Sequence, residues 1–316
     1  MTVVCAIDHR FEDLTLERGT LGAGVEVRDA RGLGLDACAD ADGILVGARL
    51  RLDAAALAAL PRCRAIVRYG VGVDNVDVEA AAAAGIWVAF VPDYCIEEVA
   101  DHALAMLLAL NRRLVALDAT VREGSWGVPA GLPVHRLSEC TLGVVGFGRI
   151  GEALGRRGAA LGMTVLAADP VRPAAEIVAA GAEPVALDEL VARADYVSLH
   201  APPARDGGAV LSAERIATMK PGACVVNVAR GGLVDEPALI AALASGALGG
   251  AALDVAAAEP LTPPNPLLEA PNVLVSPHAA WYSIEAVREL RTKAAAEVGR
   301  VLAGGEPRFA ANRPVA

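Results

Sequence analysis

The sequence predicts an α/β protein built from two doubly wound parallel sheets. Three observations carry that expectation. Short apolar runs alternate with helical segments in two successive series. A glycine-rich turn joins a strand to a helix at the start of the second series. At 316 residues the chain is longer than one domain of ordinary size needs.

The first series runs through strands at 3–7, 43–46, 64–67 and 86–90, with helices at 53–60 and 80–84 between them. A longer helix follows. Glu97, Glu98 and Asp101 place negative charge in its first turn, where the helix dipole favours it, and Arg112 and Arg113 stand near its end. Residues 124–133 are rich in Gly and Pro and read as a loop. The second series has strands at 142–145, 164–168, 196–199, 224–228, 250–254 and 273–275. Residues 283–302 form a long amphipathic helix that can return to the first domain. The expected division is therefore 1–97 plus 283–316 as one domain and 98–282 as the other, with a site in the cleft between them. Leu104, Leu107, Leu108 and Leu110 on the connecting helix are expected to face a second copy in a homodimer.

Composition narrows the function classes. Hydrophobic residues make up 54 %, charged residues 21 % and aromatic residues 3 %, a globular balance resting on Ala, Val and Leu. The 28 basic and 38 acidic residues give a net charge of -10, which opposes phosphate backbones and anionic membranes. Mean hydropathy is +0.44, yet the longest apolar run, 103–110, is far short of the ~20 residues a spanning helix needs. Asp8, His9 and Arg10 interrupt the N-terminus before a signal-peptide core can form. Six scattered cysteines without a C-x-x-C pair suit a reduced, cytoplasmic protein. With no H-E-x-x-H and no Cys/His cluster, no metal is expected.

The most specific local signal is Gly146-Phe147-Gly148-Arg149-Ile150-Gly151. In such a turn the first glycine permits the tight bend and the second lets backbone approach a pyrophosphate. The third lets helix and strand pack closely, and the helix N-terminus faces the anion with free N–H groups. Asp169 ends the next strand, where a carboxylate accepts the ribose hydroxyls and repels a 2′-phosphate. NAD is expected over NADP, a preference that Arg172 nearby weakens.

Three further segments follow strands of the same series. Arg230 comes after 224–228, Asp254 ends 250–254 with Glu259 five residues on, and His278 follows 273–275. Open α/β sheets bind ligands at the carboxyl ends of their strands. An Arg, a Glu and a His there suit reversible hydride transfer to a 2-oxo acid. A guanidinium clamps a carboxylate and polarises a carbonyl. An imidazolium donates a proton to a developing alkoxide, and a neighbouring carboxylate orients it.

These segments resemble the D-isomer-specific 2-hydroxyacid dehydrogenase family over nearly the whole chain. The carrying motifs are the glycine fingerprint, N-x-x-R-G-G at Asn227, D-x-x-x-x-E-P at Asp254 and S-P-H at Ser276. Within the family the chain looks most like the branch of the C-terminal-binding proteins. The residues that carry this are His278-Ala279-Ala280-Trp281-Tyr282-Ser283, Arg68-Tyr69-Gly70-Val71-Gly72-Val73-Asp74-Asn75, and Val91-Pro92-Asp93-Tyr94 with Glu97, Glu98 and Ala100. The resemblance implies a flavodoxin-like substrate domain and a Rossmann-like NAD domain. It makes Arg230 a substrate ligand, His278 the acid/base and Glu259 its partner, with Asp254 on the nicotinamide side and Asp169 on the ribose. Pro170, His200, Ala201, Pro202, Val228, Ala229 and Ala280 would join the cofactor site. The backbone of Gly70, Val71 and Gly72 would meet the substrate carboxylate, with Arg68 and Trp281 shaping the pocket. A pocket-facing Trp281 would favour an apolar substituent on the 2-oxo acid.

One departure stands after His200-Ala201-Pro202. Many relatives carry a threonine-containing loop there, whereas this chain has Pro203-Ala204-Arg205-Asp206-Gly207-Gly208, and Arg205 could meet a phosphate or face solvent. His200 reads equally as a cofactor wall or a structural residue, and His102 as a core or subunit-interface residue. Cys95 reads as an inert buried thiol. The alternative to an enzyme is an NAD(H)-responsive protein-binding scaffold, corepressor-like with little turnover. The expected short tail after the last helix and the retained Arg, Glu and His favour the enzyme. A third reading keeps the fold but takes phosphoglycerate or formate as substrate. Arg49, Arg51, Arg62, Arg64 and Arg68 are the basic residues that could serve a phosphate.

Overall fold

A computed structural model describes residues 1–129, 132–203 and 207–314. The chain divides into two compact units, Met1–Cys95 with Tyr282–Ala316, and Ile96–Trp281. Each holds one all-parallel sheet.

The first unit contains β1 (Thr2–Ile7), β2 (Val25–Asp29), β3 (Gly43–Val46), β4 (Ala65–Arg68) and β5 (Trp87–Ala89), in spatial order β2-β1-β3-β4-β5. This is the flavodoxin-like order, with its switch point between β1 and β3. The central strands are buried on both faces, which is why they read as continuous apolar runs. β2 has no counterpart in the sequence reading. It is the edge strand, its Val-Glu-Val-Arg-Asp run is mostly half-exposed, and the charges hide the pattern. Asp53, Asp77 and Ser283 cap their helices by accepting the amide three residues on. The last of these helices, Ile284–Leu302, packs against the helix Thr15–Leu21 and against β3 and β4.

A buried ion pair joins those two helices. Glu17, 0 % exposed, accepts Arg291 Nε at 2.9 Å and a terminal guanidinium nitrogen at 2.7 Å. It also accepts the Tyr69 hydroxyl at 3.0 Å. The Arg291 guanidinium lies 4.6 Å from the Phe11 ring centre, and Phe11 meets Tyr69 edge to face. Every charge taken out of water here has a partner, which its burial requires.

The second unit contains β6 (Thr141–Val145), β7 (Thr164–Ala168), β8 (Glu183–Pro184), β9 (Tyr196–Leu199), β10 (Cys224–Asn227), β11 (Gly250–Leu253) and β12 (Val273–Val275). Their order is β12-β11-β10-β9-β6-β7-β8, the Rossmann arrangement with one strand added, and it reverses between β6 and β9.

The connecting helix corrects the sequence reading. It runs Ile96–Asn111, and Leu107, at 0 % exposure, and Leu110 are core residues of this unit, with Leu104 packed against them. Leu107 and Leu110 therefore face this core and not a second copy, whereas Leu104 and Leu108 are half-buried. Arg113 takes a left-handed backbone, and a separate helix, Leu114–Arg122, follows with no buried residue. Leu114, Val115, Val121, Trp126 and Val128 are exposed apolar side chains of this region.

Candidate active site

The glycine turn sits at the switch point. Gly146 has φ +84°, and a Cβ there would stand 2.7 Å from the Ala201 amide nitrogen. Gly151 is equally crowded, since a Cβ would lie 2.1 Å from the Gly146 carbonyl oxygen. Gly148 is the opposite case: a Cβ there would meet nothing within 4 Å, so open space lies over it. Glu152 N makes the first helical bond of Arg149–Ala160, to Gly148 O at 2.9 Å, and the amides before it have no acceptor inside the helix. Open space over a glycine beside such amides fits a pyrophosphate.

Asp169, just past β7, braces this turn. One oxygen accepts Phe147 N at 2.8 Å, and the other accepts Val171 N and Arg172 N at 2.8 and 3.0 Å. Burial raises its pKa, but the three amides outweigh burial and hold the carboxyl below its ordinary value. Arg172 is committed locally: it pairs with Glu152 at 2.7 Å and donates to Phe147 O at 2.8 Å. Phe147 itself turns inward, 0 % exposed and packed over Gly155, so its side chain serves the core. Pro170 and Pro202 are exposed and Ala201 is half-buried. His200 Nε2 lies 2.8 Å from Ser198 Oγ, and burial pushes its pKa down to about 4. Arg205 lies outside the described residues.

Arg230, Glu259 and His278 follow β10, β11 and β12, three strands adjacent in the sheet. Buried Asn227, the last residue of β10, sets the Arg230 turn. Its Nδ2 donates to Arg230 O at 2.8 Å, and its Oδ1 accepts Ala229 N at 3.0 Å. Val228 and Ala229 are half-buried between them. Gly231 lets this turn touch the next one, because a Cβ would stand 1.9 Å from the Ala256 carbonyl carbon. Glu259 Oε1 accepts Ala256 N at 3.2 Å, and its Oε2 lies 2.9 Å from His278 Nδ1. The two side chains are 39 % and 40 % exposed, so the pair is reachable.

His278 stands in the left-handed region at φ +55°. Its amide donates to Asp254 O at 2.8 Å, and Ala279 N and Ala280 N donate to the buried Asp254 carboxylate at 2.8 and 2.9 Å. Trp281 Nε1 donates to His278 O at 3.0 Å. Asp254 and Ala280 therefore hold the His278 loop. His102 also reaches this group, at 2.9 Å from Ser276 Oγ. Its sequence pattern is that of an ordinary helix residue, and only the fold brings it to Ser276.

Arg68, Gly70, Val71 and Gly72 belong to the first unit, at and just past the end of β4. Gly70 has φ +144°, the Arg68 guanidinium fills the place of a Cβ, and Gly70 O accepts Val91 N at 2.9 Å. Among the described residues no cluster of three or more His, Cys, Asp or Glu side chains could hold a metal ion.

A glycine cradle at the switch point, braced by an acid at the end of the neighbouring strand, defines a dinucleotide-binding domain. The family model for the D-isomer specific 2-hydroxyacid dehydrogenase, NAD binding domain, matches residues 104–280. D-3-phosphoglycerate dehydrogenase of Mycobacterium tuberculosis is 42 % identical over 288 residues, covering 90 % of this chain and 54 % of its own. Glyoxylate reductase of Korarchaeum cryptofilum is 41 % identical over 237 residues, 74 % of this chain and 71 % of its own. A solved D-lactate dehydrogenase of Aquifex aeolicus, complexed with NAD and lactic acid, superposes with a TM-score of 0.87 at 29 % identity, covering 95 % of this chain and 96 % of that one. The chain belongs to the D-isomer-specific 2-hydroxyacid dehydrogenase family, and its second unit is that family's NAD-binding domain. It spans about half the length of the phosphoglycerate dehydrogenases it matches.

Proposed function

We propose that the protein is an NAD-dependent dehydrogenase that interconverts a small 2-oxo acid and its D-2-hydroxy acid. The observation that carries this reading is the 2.9 Å contact between His278 Nδ1 and Glu259 Oε2, on the strand ends of the sheet that holds the glycine cradle. When bound, NADH supplies the hydride. His278 donates the proton to the carbonyl oxygen from Nε2, because Glu259 occupies Nδ1 and orients the ring. Arg230 clamps the substrate carboxylate and polarises the carbonyl. The reading assigns residues 70–72 of the first unit to the same carboxylate through backbone N–H groups, and Arg68 and Trp281 to the pocket wall.

Asp169 supports NAD over NADP, and Arg172, the residue expected to weaken that preference, is paired with Glu152. The indole of Trp281, anchored beside His278, supports a substrate with an apolar substituent. Among the described residues no helix is long and apolar enough to cross a membrane, and six free, buried thiols suit a reducing cytoplasm. Leu114, Val115, Val121 and Trp126 support a homodimer through the second helix; a sedimenting mass of one chain at micromolar concentration would refute it.

The test is NADH oxidation with a panel of 2-oxo acids. His278→Ala is expected to lower kcat by about 10²- to 10⁴-fold while NADH affinity stays near that of the parent. Equal turnover in parent and variant contradicts the assigned role.

A further inference from the structure

We infer that His102 is a positioning residue for the acid–base loop, acting on His278 through Ser276 and Asp254. The inference rests on the reading of His278 as the proton donor, and it gives a task to a helix residue that no motif marks.

Asp254 ties the acid–base loop to the sheet. This carboxylate is buried, and its oxygens receive Ser276 Oγ at 2.5 Å, Ala279 N at 2.8 Å and Ala280 N at 2.9 Å. Its own carbonyl accepts the His278 amide at 2.8 Å. One residue thus makes four bonds to a segment whose central residue holds a left-handed backbone, disfavoured for a side chain with a Cβ. The imidazole points at Glu259 only while that backbone is held.

Ser276 Oγ has a single hydrogen, and an ionised carboxylate can only accept. The short contact to Asp254 therefore uses the Ser276 hydrogen. The oxygen is then an acceptor toward His102 Nε2, 2.9 Å away, and Nε2 must carry a proton. The result is a directed chain, His102 Nε2–H to Ser276 Oγ–H to Asp254 Oδ1. The imidazole nitrogen is also only 3.7 Å from that carboxylate oxygen. Without His102, Ser276 has no donor fixing its hydroxyl, and Asp254 loses the polar group that backs its loop-holding oxygen. Networks of this kind act as units, so removing any member is felt at the end of the chain. Backbone pairing of Ser276 N to Leu253 O at 3.0 Å remains, which leaves the strand itself in place.

The experiment compares His102→Leu, His102→Gln and Ser276→Ala in the full chain. In His102→Leu, kcat is expected to fall about 10-fold, with NADH Kd unchanged, as loosened geometry costs rate without costing cofactor binding. The glutamine amide can still donate to Ser276 and is expected to restore most of kcat. Ser276→Ala is expected to match His102→Leu, and the double variant to be no worse than either single one. The readout that a packing role would not move is the NMR signal of the His278 ring at fixed pH, assigned by its loss in His278→Ala. It is expected to shift in His102→Leu, as the ring leaves its contact with Glu259, and to return in His102→Gln. An unmoved His278 signal, or strictly additive effects of the two single variants, overturns the inference. If the parent reduces no 2-oxo acid, the proposed function fails, and the His278 signal still decides the role of His102.

Discussion

The two units carry the same kind of sheet but use its carboxyl edge in opposite ways. In the first unit, Tyr69 just past β4, Glu17 on the helix Thr15–Leu21 and Arg291 on the last helix are all buried, and Arg291 and Tyr69 both donate to Glu17. Past β11 and β12 of the second, Glu259 and His278 form a pair of similar length that stays open to solvent. A saturated, dry ion pair is a fastener. It has no valence left for a ligand, and its desolvation cost makes it poor at adding net stability beyond holding one arrangement. An exposed pair adds little to stability but can exchange protons with a reactant. Residue type does not distinguish structure from chemistry here; burial and remaining valence do.

The sharpest way to break the comparison is to remove one member of the dry pair. Glu17→Ala strands the Arg291 guanidinium and is expected to cost about 3–5 kcal/mol of stability, measured by urea unfolding. Glu17→Gln combined with Arg291→Met is expected to recover most of that loss, because no charge is then left unpaired. A loss below about 1 kcal/mol for Glu17→Ala would show that water reaches the pair and that the contrast is false.

A pH scan sharpens the second unit's side of the comparison. Burial pushes His200 down to about 4, whereas an unfolded histidine titrates near 6.5. Between those values the unfolded chain binds the extra proton. Stability present above pH 6.5 is therefore lost as pH falls toward 4, by on the order of 3 kcal/mol for this group. Asp169, held low by its amides, adds loss in the same direction when pH falls through its folded-state pKa. His200→Gln is expected to flatten the slope between about pH 6.5 and 4.5 in unfolding titrations. An unchanged slope would place the burden elsewhere.

What the sequence made legible follows the range of the interactions. The glycine turn, Asp169 and the segments at Arg230, Glu259 and His278 are local signals, each a strand followed by a short run of marked residues. The fold class was readable because the buried parallel strands are continuous apolar runs. β2 was not, since an edge strand with alternating charges looks like a loop. The end of the connecting helix near Arg112 and Arg113 was readable, but the separate helix Leu114–Arg122 was not, because nothing in the neighbours of Arg113 announces a left-handed residue that restarts the chain as a helix. The leucines of Ile96–Asn111 read as a surface stripe because apolar spacing on a helix does not say which neighbour covers it. Glu17 lies in a short helix whose sequence gives no sign of burial, and its partner Arg291 is 274 positions away. The His102–Ser276 contact spans 174 positions and was equally invisible.

The claim that Glu259 and His278 work as an acid–base pair is most directly tested by kcat/KM for 2-oxo acid reduction in the parent, Glu259→Gln, His278→Ala and the double variant. Residues that act as one unit are non-additive, so the double variant is expected to be no slower than His278→Ala alone. Losses that multiply in the double variant would contradict the pairing.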